Sequence, residues 1–287
     1  MALHQAPGLL LGLIGSGIQA SRAPALHEGE AAEQGLRAIY KLIDIAELRL
    51  GAAALPELLT AAERMGFAGL NITHPCKQAV IPHLHELSPD ARALGAVNTV
   101  LLREGRRVGH NTDWFGFAEN FRRGLPDVPL GRAVQLGAGG AGAAVAHAAL
   151  TLGIGELTIF DIDNNRMAAL VDSLGSRFGA GRAVAGTDIA TAMAATDGLI
   201  NATPIGMADH PGLPLPRERL RSAPWVAEIV YFPLETALLR TARAVGCRTL
   251  DGGGMAVFQA VEAFRLFTGI VPDSARMLRH FAAMSQI

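Results

Sequence analysis

Gly137-Ala138-Gly139-Gly140-Ala141-Gly142, followed by Asp161 22 residues after Gly139, has the residue types and spacing of a dinucleotide site. A turn that brings backbone N–H groups of Gly137, Ala138, Gly139, Gly140 and Ala141 against a pyrophosphate leaves little room for a Cβ. The helix that follows adds partial positive charge at its N-terminus. The hexamer alone is a weak signal in a chain with 33 glycines, where a tight turn before a helix is the plain alternative. Its surroundings decide the matter: an apolar run of strand length, 133–136, before it; a proline-free, alanine-rich stretch, 141–150, after it; and the acid at the end of the next apolar run, 157–160. A carboxylate there accepts from ribose hydroxyls and repels a 2′-phosphate, so NAD is expected rather than NADP. Arg166 would neutralise a phosphate, stack on an adenine or solvate a helix start, and Asp163 and Asn164 are good caps for that helix.

Three polar strings interrupt an otherwise aliphatic first half: 71–77 (Asn-Ile-Thr-His-Pro-Cys-Lys), 95–99 (Gly-Ala-Val-Asn-Thr) and 109–113 (Gly-His-Asn-Thr-Asp). Each flanks an apolar strand, so their side chains should gather at strand ends, where α/β proteins bind ligands. Singly, each has an ordinary explanation. Thr73 and Asn111 suit loops or caps, Pro75 a first helical turn, and Lys77 a solvated helix face. Together, Lys77, Asn98 and Asp113 upstream of a nucleotide site suit oxidation of a secondary alcohol. That reaction needs a group to take the hydroxyl proton as hydride leaves carbon. A lysine does this when neighbours and partial burial tune it, and a carboxylate can hold both lysine and hydroxyl. Lys77 and Asp113 are the expected dyad.

These residues need strands and helices to position them. At 287 residues, 50% hydrophobic and 18% charged, the chain suits two globular α/β domains with sizeable cores. Strands are expected at 9–14, 38–43 and 69–72, with helices at 24–33 and 55–65, where Leu55, Leu58, Leu59 and Ala62 share a face. Residues 96–102 and 107–109, separated by Glu104-Gly105, read as a hairpin. After a helical boundary segment at 114–125, strands near Ala133, Leu157, Ala183, Leu199 and Val226 alternate with helices and a proline-rich loop, 210–216. The expected domains are 1–113 with about 257–287, for substrate, and 114–256, a doubly wound NAD-binding (Rossmann) domain. The last helices, 255–268 and 274–284, would pack back on the first domain.

A net charge of −1 with no basic cluster argues against nucleic acid. The apolar start, 8–14, is too short to span a bilayer and lacks a basic leader, so no membrane partner and a cytoplasmic setting are expected. Cys76 and Cys247 are too few and too far apart for a disulfide framework or metal spacing, and no metal is expected. A homodimer is compatible with the sequence, which shows no stripe that would demand one.

Several strings together resemble the shikimate dehydrogenase family: Leu13-Ile14-Gly15 with 21–27 (Ser-Arg-Ala-Pro-Ala-Leu-His), the three polar strings, 201–207 (Asn-Ala-Thr-Pro-Ile-Gly-Met), and Asp251-Gly252 through Met255 and Gln259. The resemblance spans nearly the whole chain in order. It implies a substrate domain and a Rossmann domain facing each other over a cleft, with Lys77 and Asp113 catalytic. By the same matching Ser21 would hold the substrate carboxylate, and Thr73, Asn98, Asp113, Tyr231 and Gln259 would contact the ring and its hydroxyls. Thr203, Val230, Gly252 and Met255 would line the nicotinamide pocket. Plain alternatives stand beside two of these: Gln259 as a helix-surface residue and Tyr231 as half-buried packing before Pro233.

The chain departs from the family pattern at Ala23, where a second hydroxyl residue is common. Losing one donor would cost about 1–3 kcal/mol for the same substrate unless water replaces it. It also opens space where quinate carries an extra hydroxyl. With Asp161, this makes the chain most similar to the NAD-dependent quinate/shikimate branch, working in the oxidative direction. The expected activity is reversible oxidation of shikimate to 3-dehydroshikimate, with quinate to 3-dehydroquinate as a second. Alternatives are an enzyme acting on a related cyclohexane acid such as an aminoshikimate, a non-catalytic NAD or metabolite sensor, and another two-domain dehydrogenase of amino acids or folates.

Overall fold

The structure, a computed structural model, describes residues 8–284 and divides into two units, one ending at Thr112 and resuming at Gln259, the other Asp113–Phe258. In the first unit the apolar run after Gly8 forms β1 (Gly8–Gly15), whose later residues are fully buried because strands flank it on both sides. Next come α1 (Ala23–Glu33), β2 (Arg37–Asp44), α2 (Leu55–Arg64), β3 (Gly69–Ile72), the single-turn α3 (Cys76–Ala79), β4 (Glu86–Leu87), α4 (Pro89–Leu94), β5 (Thr99–Arg103) and β6 (Arg106–His110). The sheet order is β2-β1-β3-β5-β6-β4, with β1 parallel to β2 and β3, and β5 antiparallel to β3 and β6. On one face Leu55, Leu59 and Ala62 of α2 pack with Ile14, Ile72 and Val100. This is the helix stripe expected from the sequence.

The second unit begins with α5 (Asp113–Gly124) and continues β7 (Arg132–Leu136), α6 (Gly140–Thr151), β8 (Glu156–Phe160), α7 (Asn164–Phe178), β9 (Ala183–Ala185), α8 (Ile189–Ala194), β10 (Gly198–Asn201), β11 (Trp225–Glu228), α9 (Ala237–Ala244) and β12 (Arg248–Leu250). Its sheet is wholly parallel, in the order β12-β11-β10-β7-β8-β9. The chain starts in the middle at β7, winds out to β9, and returns to lay β10 on the other side of β7. That is a doubly wound Rossmann sheet, with its switch point between β7 and β10.

α10 (Gly253–Thr268) and α11 (Ser274–Met284) close the chain. Ala263 and Phe267 of α10 pack with Leu11, Leu13 and Tyr40 on the other face of the first sheet, so the C-terminal helices do return to it. α11 is fastened by Glu30 of α1, whose shielded carboxylate takes the Arg276 guanidinium at 2.7 and 2.8 Å and Asp273 N–H at 2.9 Å.

Several elements differ from the sequence expectation, which contains neither β4 nor α4. The first hairpin strand starts at Thr99 rather than Ala96, because Val97 N–H turns to Lys77 C=O and Asn98 N–H to His110 C=O. A sixth Rossmann strand, β12, follows the one expected near Val226; three residues, Arg-Thr-Leu, are too short and too polar to show a period. Among the described residues no helix is long and apolar enough to cross a membrane, and no His, Cys, Asp and Glu cluster could hold a metal ion.

Removing a shielded partner leaves a guanidinium and a backbone donor poorly satisfied. Glu30→Ala should therefore lower unfolding free energy by about 2–4 kcal/mol in urea titrations, whereas a surface pair would change it by less than about 1.

Candidate functional site

In the first unit the three polar strings converge through hydrogen bonds. Ile72 N–H donates to Asn98 C=O at 2.8 Å, Val97 N–H to Lys77 C=O at 2.9 Å, Asn98 N–H to His110 C=O at 3.0 Å, and Asn111 Nδ2 to Ala96 C=O at 3.0 Å. Asn98 is the junction: its buried side-chain amide gives Nδ2 to Thr112 Oγ1 at 2.9 Å and accepts Thr112 N–H at 2.8 Å and Thr99 Oγ1 at 3.0 Å. Asn71 extends the network, donating to Thr99 Oγ1 at 3.0 Å and accepting the Tyr40 hydroxyl at 2.8 Å. A buried amide left unpaired costs a few kcal/mol, so each of these bonds fixes its neighbour's rotamer. Lys77 is half-buried in α3, one residue after fully buried Cys76. Thr73 lies directly above Gly15, where a Cβ would collide with the threonine methyl.

Ser21 precedes α1 and its Oγ accepts Ala23 N–H at 3.3 Å. The loop before it is held by Asp44, which accepts from Gly17 N–H, Ile18 N–H and Gln19 Nε2 at 3.0, 2.9 and 3.2 Å. Burial alone would raise the Asp44 pKa, but these donors and Ala46 N–H keep it below the usual carboxylate range. Gln259, in α10, is half-buried.

In the second unit the glycine turn joins β7 to α6. Gly137 has φ +98°, and a Cβ there would stand 2.6 Å from Ala202 C=O, so this position admits only glycine. A Cβ on Gly142 would collide with Gly137 C=O. Gln135 holds the turn from beneath, giving Nε2 to Gly137 and Gly142 carbonyls, both at 2.9 Å. Gly139, the residue before α6, differs: its φ is −68° and no protein atom lies within 4 Å of an added Cβ. The protein's own packing does not demand glycine there, and the position before a helix N-terminus is one where a ligand can approach the backbone closely.

Asp161 lies just past β8 and accepts Ala138 N–H at 2.6 Å and Asp163 N–H at 2.8 Å. Arg166 Nη2 donates to it at 2.6 Å. Burial would raise its pKa, but Arg166 and the two amides hold it below the usual range. Asp163 caps α7 through Asn165 and Arg166 N–H at 3.0 and 3.1 Å, the role expected for it.

The ends of β10 and β11 are tied by a buried carboxylate that the sequence reading did not single out. Glu228, at the end of β11, takes Asn201 Nδ2 on both oxygens at 3.0 and 3.1 Å, Val230 N–H at 3.0 Å and Thr236 Oγ1 at 3.2 Å. Burial pushes its pKa up to about 7 against these hydrogen bonds. Asn201 in turn accepts Thr203 N–H and Oγ1 at 3.2 and 2.7 Å.

The residues assigned in advance thus fall into two sets. Ser21, Thr73, Lys77, Asn98 and Gln259 belong to the first unit. Gly137 to Ala141, Asp161, Arg166, Thr203, Val230, Gly252 and Met255 belong to the second, at or beyond strand C-termini. Asp113, buried, opens α5 directly after Thr112, and Tyr231 is half-exposed after Val230. Asn71, Asn98 and Thr112 were visible as members of polar strings. Asp44, Gln135, Asn201 and Glu228 carried a fainter signal, a lone polar residue in or ending an apolar strand.

A parallel-sheet domain with a glycine turn at its switch point and a second α/β domain bearing a polar lysine site define a class of two-domain dehydrogenases. The family model for the shikimate dehydrogenase substrate binding domain matches residues 13–100. The shikimate dehydrogenase (NADP(+)) of Streptomyces avermitilis is 62% identical over 96% of this chain and 96% of that protein. The quinate/shikimate dehydrogenase (NAD(+)) of Corynebacterium efficiens is 51% identical over 96% and 98%. Among solved structures, quinate dehydrogenase from Corynebacterium glutamicum in complex with NAD superposes with a TM-score of 0.90 at 48% identity, covering 96% of this chain and 99% of that one. The chain belongs to the shikimate dehydrogenase family, a family of pyridine-nucleotide oxidoreductases.

Gly139→Ala should leave thermal stability within about 0.5 kcal/mol of wild type while weakening dinucleotide binding about tenfold in calorimetric titration; unchanged affinity would remove Gly139 from the binding turn. Glu228 predicts a pH effect on stability. Because burial raises its folded pKa from the ordinary 4.5 to about 7, its contribution is complete below about pH 4.5 and is lost as pH rises to about 7. Glu228→Gln should therefore flatten the loss of stability between pH 5 and pH 8 by about 2–3 kcal/mol, read from urea midpoints.

Proposed function

We propose that this chain catalyses reversible NAD-dependent oxidation of shikimate to 3-dehydroshikimate, and of quinate to 3-dehydroquinate. The observation that carries the reading is the hydrogen-bonded meeting of residues 71–77, 95–99 and 109–112, whose hydroxyl and amide groups suit a small polyhydroxylated acid and to which Lys77 is tied by its carbonyl. Family membership supports the substrate class.

In this reading Lys77, as the neutral amine, accepts the proton of the reacting hydroxyl while the C–H electron pair leaves carbon; in reverse its ammonium returns that proton. Asp113 orients Lys77 and accepts from a substrate hydroxyl. Ser21 binds the carboxylate, and Thr73, Asn98, Tyr231 and Gln259 contact the ring hydroxyls. The bound dinucleotide supplies the hydride acceptor. Gly137 to Ala141 hold its pyrophosphate, Asp161 the adenosine ribose, and Thr203, Val230, Gly252 and Met255 its nicotinamide.

The choice of NAD rests on Asp161. Arg166 is the cation a 2′-phosphate would need, yet it is already paired with Asp161 at 2.6 Å. A phosphate at that place would have to compete with a carboxylate held ionised by three donors. The Corynebacterium relatives carry NAD in their names, and the Streptomyces relative carries NADP. Ala23 supports quinate as a substrate, because it removes a side-chain hydroxyl beside Ser21 and leaves space for one on the ligand.

Initial rates with each acid and each cofactor test the assignment. NAD should give a kcat/KM at least about tenfold above NADP, a difference of about 1.4 kcal/mol; a preference for NADP would overturn the reading of Asp161, and no oxidation of either acid would overturn the substrate class. Lys77→Ala should lower kcat by about 10²–10⁴ with NAD affinity within about twofold, and retained turnover would remove Lys77 from proton transfer.

A further inference from the structure

We infer that Glu228 is a positioning residue for the nicotinamide end of the dinucleotide site, acting through Asn201 and the Val230 amide; this rests on the reading that Thr203 and Val230 line that pocket. Asn201 and Glu228 are register partners at the last rung shared by β10 and β11. Beyond that rung the two chains leave the sheet, with Ile229 N–H to Asn201 C=O at 3.2 Å as a further backbone tie. The side chains take over where the ladder ends.

Each oxygen of Glu228 has a distinct load. Oε1 holds Asn201 Nδ2 and Val230 N–H, both at 3.0 Å, and so sets the backbone at Val230. Oε2 holds Asn201 Nδ2 at 3.1 Å and Thr236 Oγ1 at 3.2 Å, and Thr236 caps α9 by accepting Leu239 N–H at 3.2 Å. With Asn201 Nδ2 so engaged, and also given to Ile205 C=O at 3.0 Å, its Oδ1 faces Thr203 and takes both Thr203 donors. Ile205 N–H closes the loop on Thr203 Oγ1 at 3.2 Å.

These partners are neutral donors, and Glu228 is buried. An apolar side chain would fill such a place without the cost of desolvating a carboxylate. What an apolar side chain could not do is orient Asn201 and Val230 N–H together, since that takes an acceptor oxygen within reach of both. The carboxylate thus fixes two pocket walls, the loop 201–206 and the residues after β11, in one geometry.

The test separates the two ends of the cofactor. Full-length wild type, Glu228→Ala, Glu228→Gln and Thr236→Val are titrated calorimetrically with NAD and with ADP-ribose, which lacks the nicotinamide. Glu228→Ala should bind NAD at least about tenfold more weakly while ADP-ribose affinity stays within about twofold; Glu228→Gln, which keeps an acceptor, should restore NAD binding to within about threefold. If Glu228→Ala does not fold by circular dichroism, Thr236→Val carries the test, with NAD weakened about threefold and ADP-ribose unchanged. Equal weakening of both ligands, unchanged NAD binding, or wild type binding NAD no more tightly than ADP-ribose overturns the inference. Wild type that binds neither ligand overturns the dinucleotide reading itself, a different failure.

Discussion

The site in the first unit depends on the Asn98 amide being fully engaged. Its backbone joins β3 to the end of β6, and its side chain reaches Thr112 and Thr99, so three segments far apart in sequence meet at one buried polar group. An amide in that place must be bonded or pay for its desolvation, and this is what turns the strand ends into a rigid floor. The Lys77 carbonyl is tied to that floor by Val97 N–H. The second unit repeats the solution with different residues: Asn201, also buried at a strand end, is held by Glu228 and holds Thr203.

Both arrangements follow from sheet geometry. Backbone pairing stops at the C-terminal ends of strands, yet that is where ligands bind in α/β folds, so the loops there need another source of order. Buried Asn, Glu, Asp and Gln side chains supply it. Asp44 orders the loop leading to Ser21, and Gln135 orders the glycine turn from below. Each of these groups sits one step behind the residues assigned to ligand.

Much of this was legible in the sequence. The glycine turn, the acid after β8, the amphipathic stripe of α2, the hairpin and the return of the last helices all leave a periodic or compositional trace. The polar strings were visible because they interrupt aliphatic runs. β12 was hidden because three residues with Arg and Thr show no alternation, and the start of β5 was misplaced because Ala96 and Val97 are apolar but bond to Asn111 Nδ2 and Lys77 C=O rather than to the ladder. Asn201 stood in the string 201–207, but its pairing with Glu228 was hidden for a different reason. Their meaning lies in the β10–β11 register, which joins positions 27 apart and is set by the whole sheet.

On the proposed function, the buried hydrogen bonds around Asn98 set the geometry in which Lys77 works. Thr112→Val tests it most directly, since it keeps the side-chain shape and deletes the hydroxyl that accepts from Asn98 Nδ2. Steady-state rates of shikimate or quinate oxidation, beside calorimetric NAD affinity on the same preparation, are the measurement. The expected kcat is about tenfold lower, with NAD affinity within about twofold of wild type, because the Rossmann unit is untouched. A folded variant with wild-type kcat would contradict it.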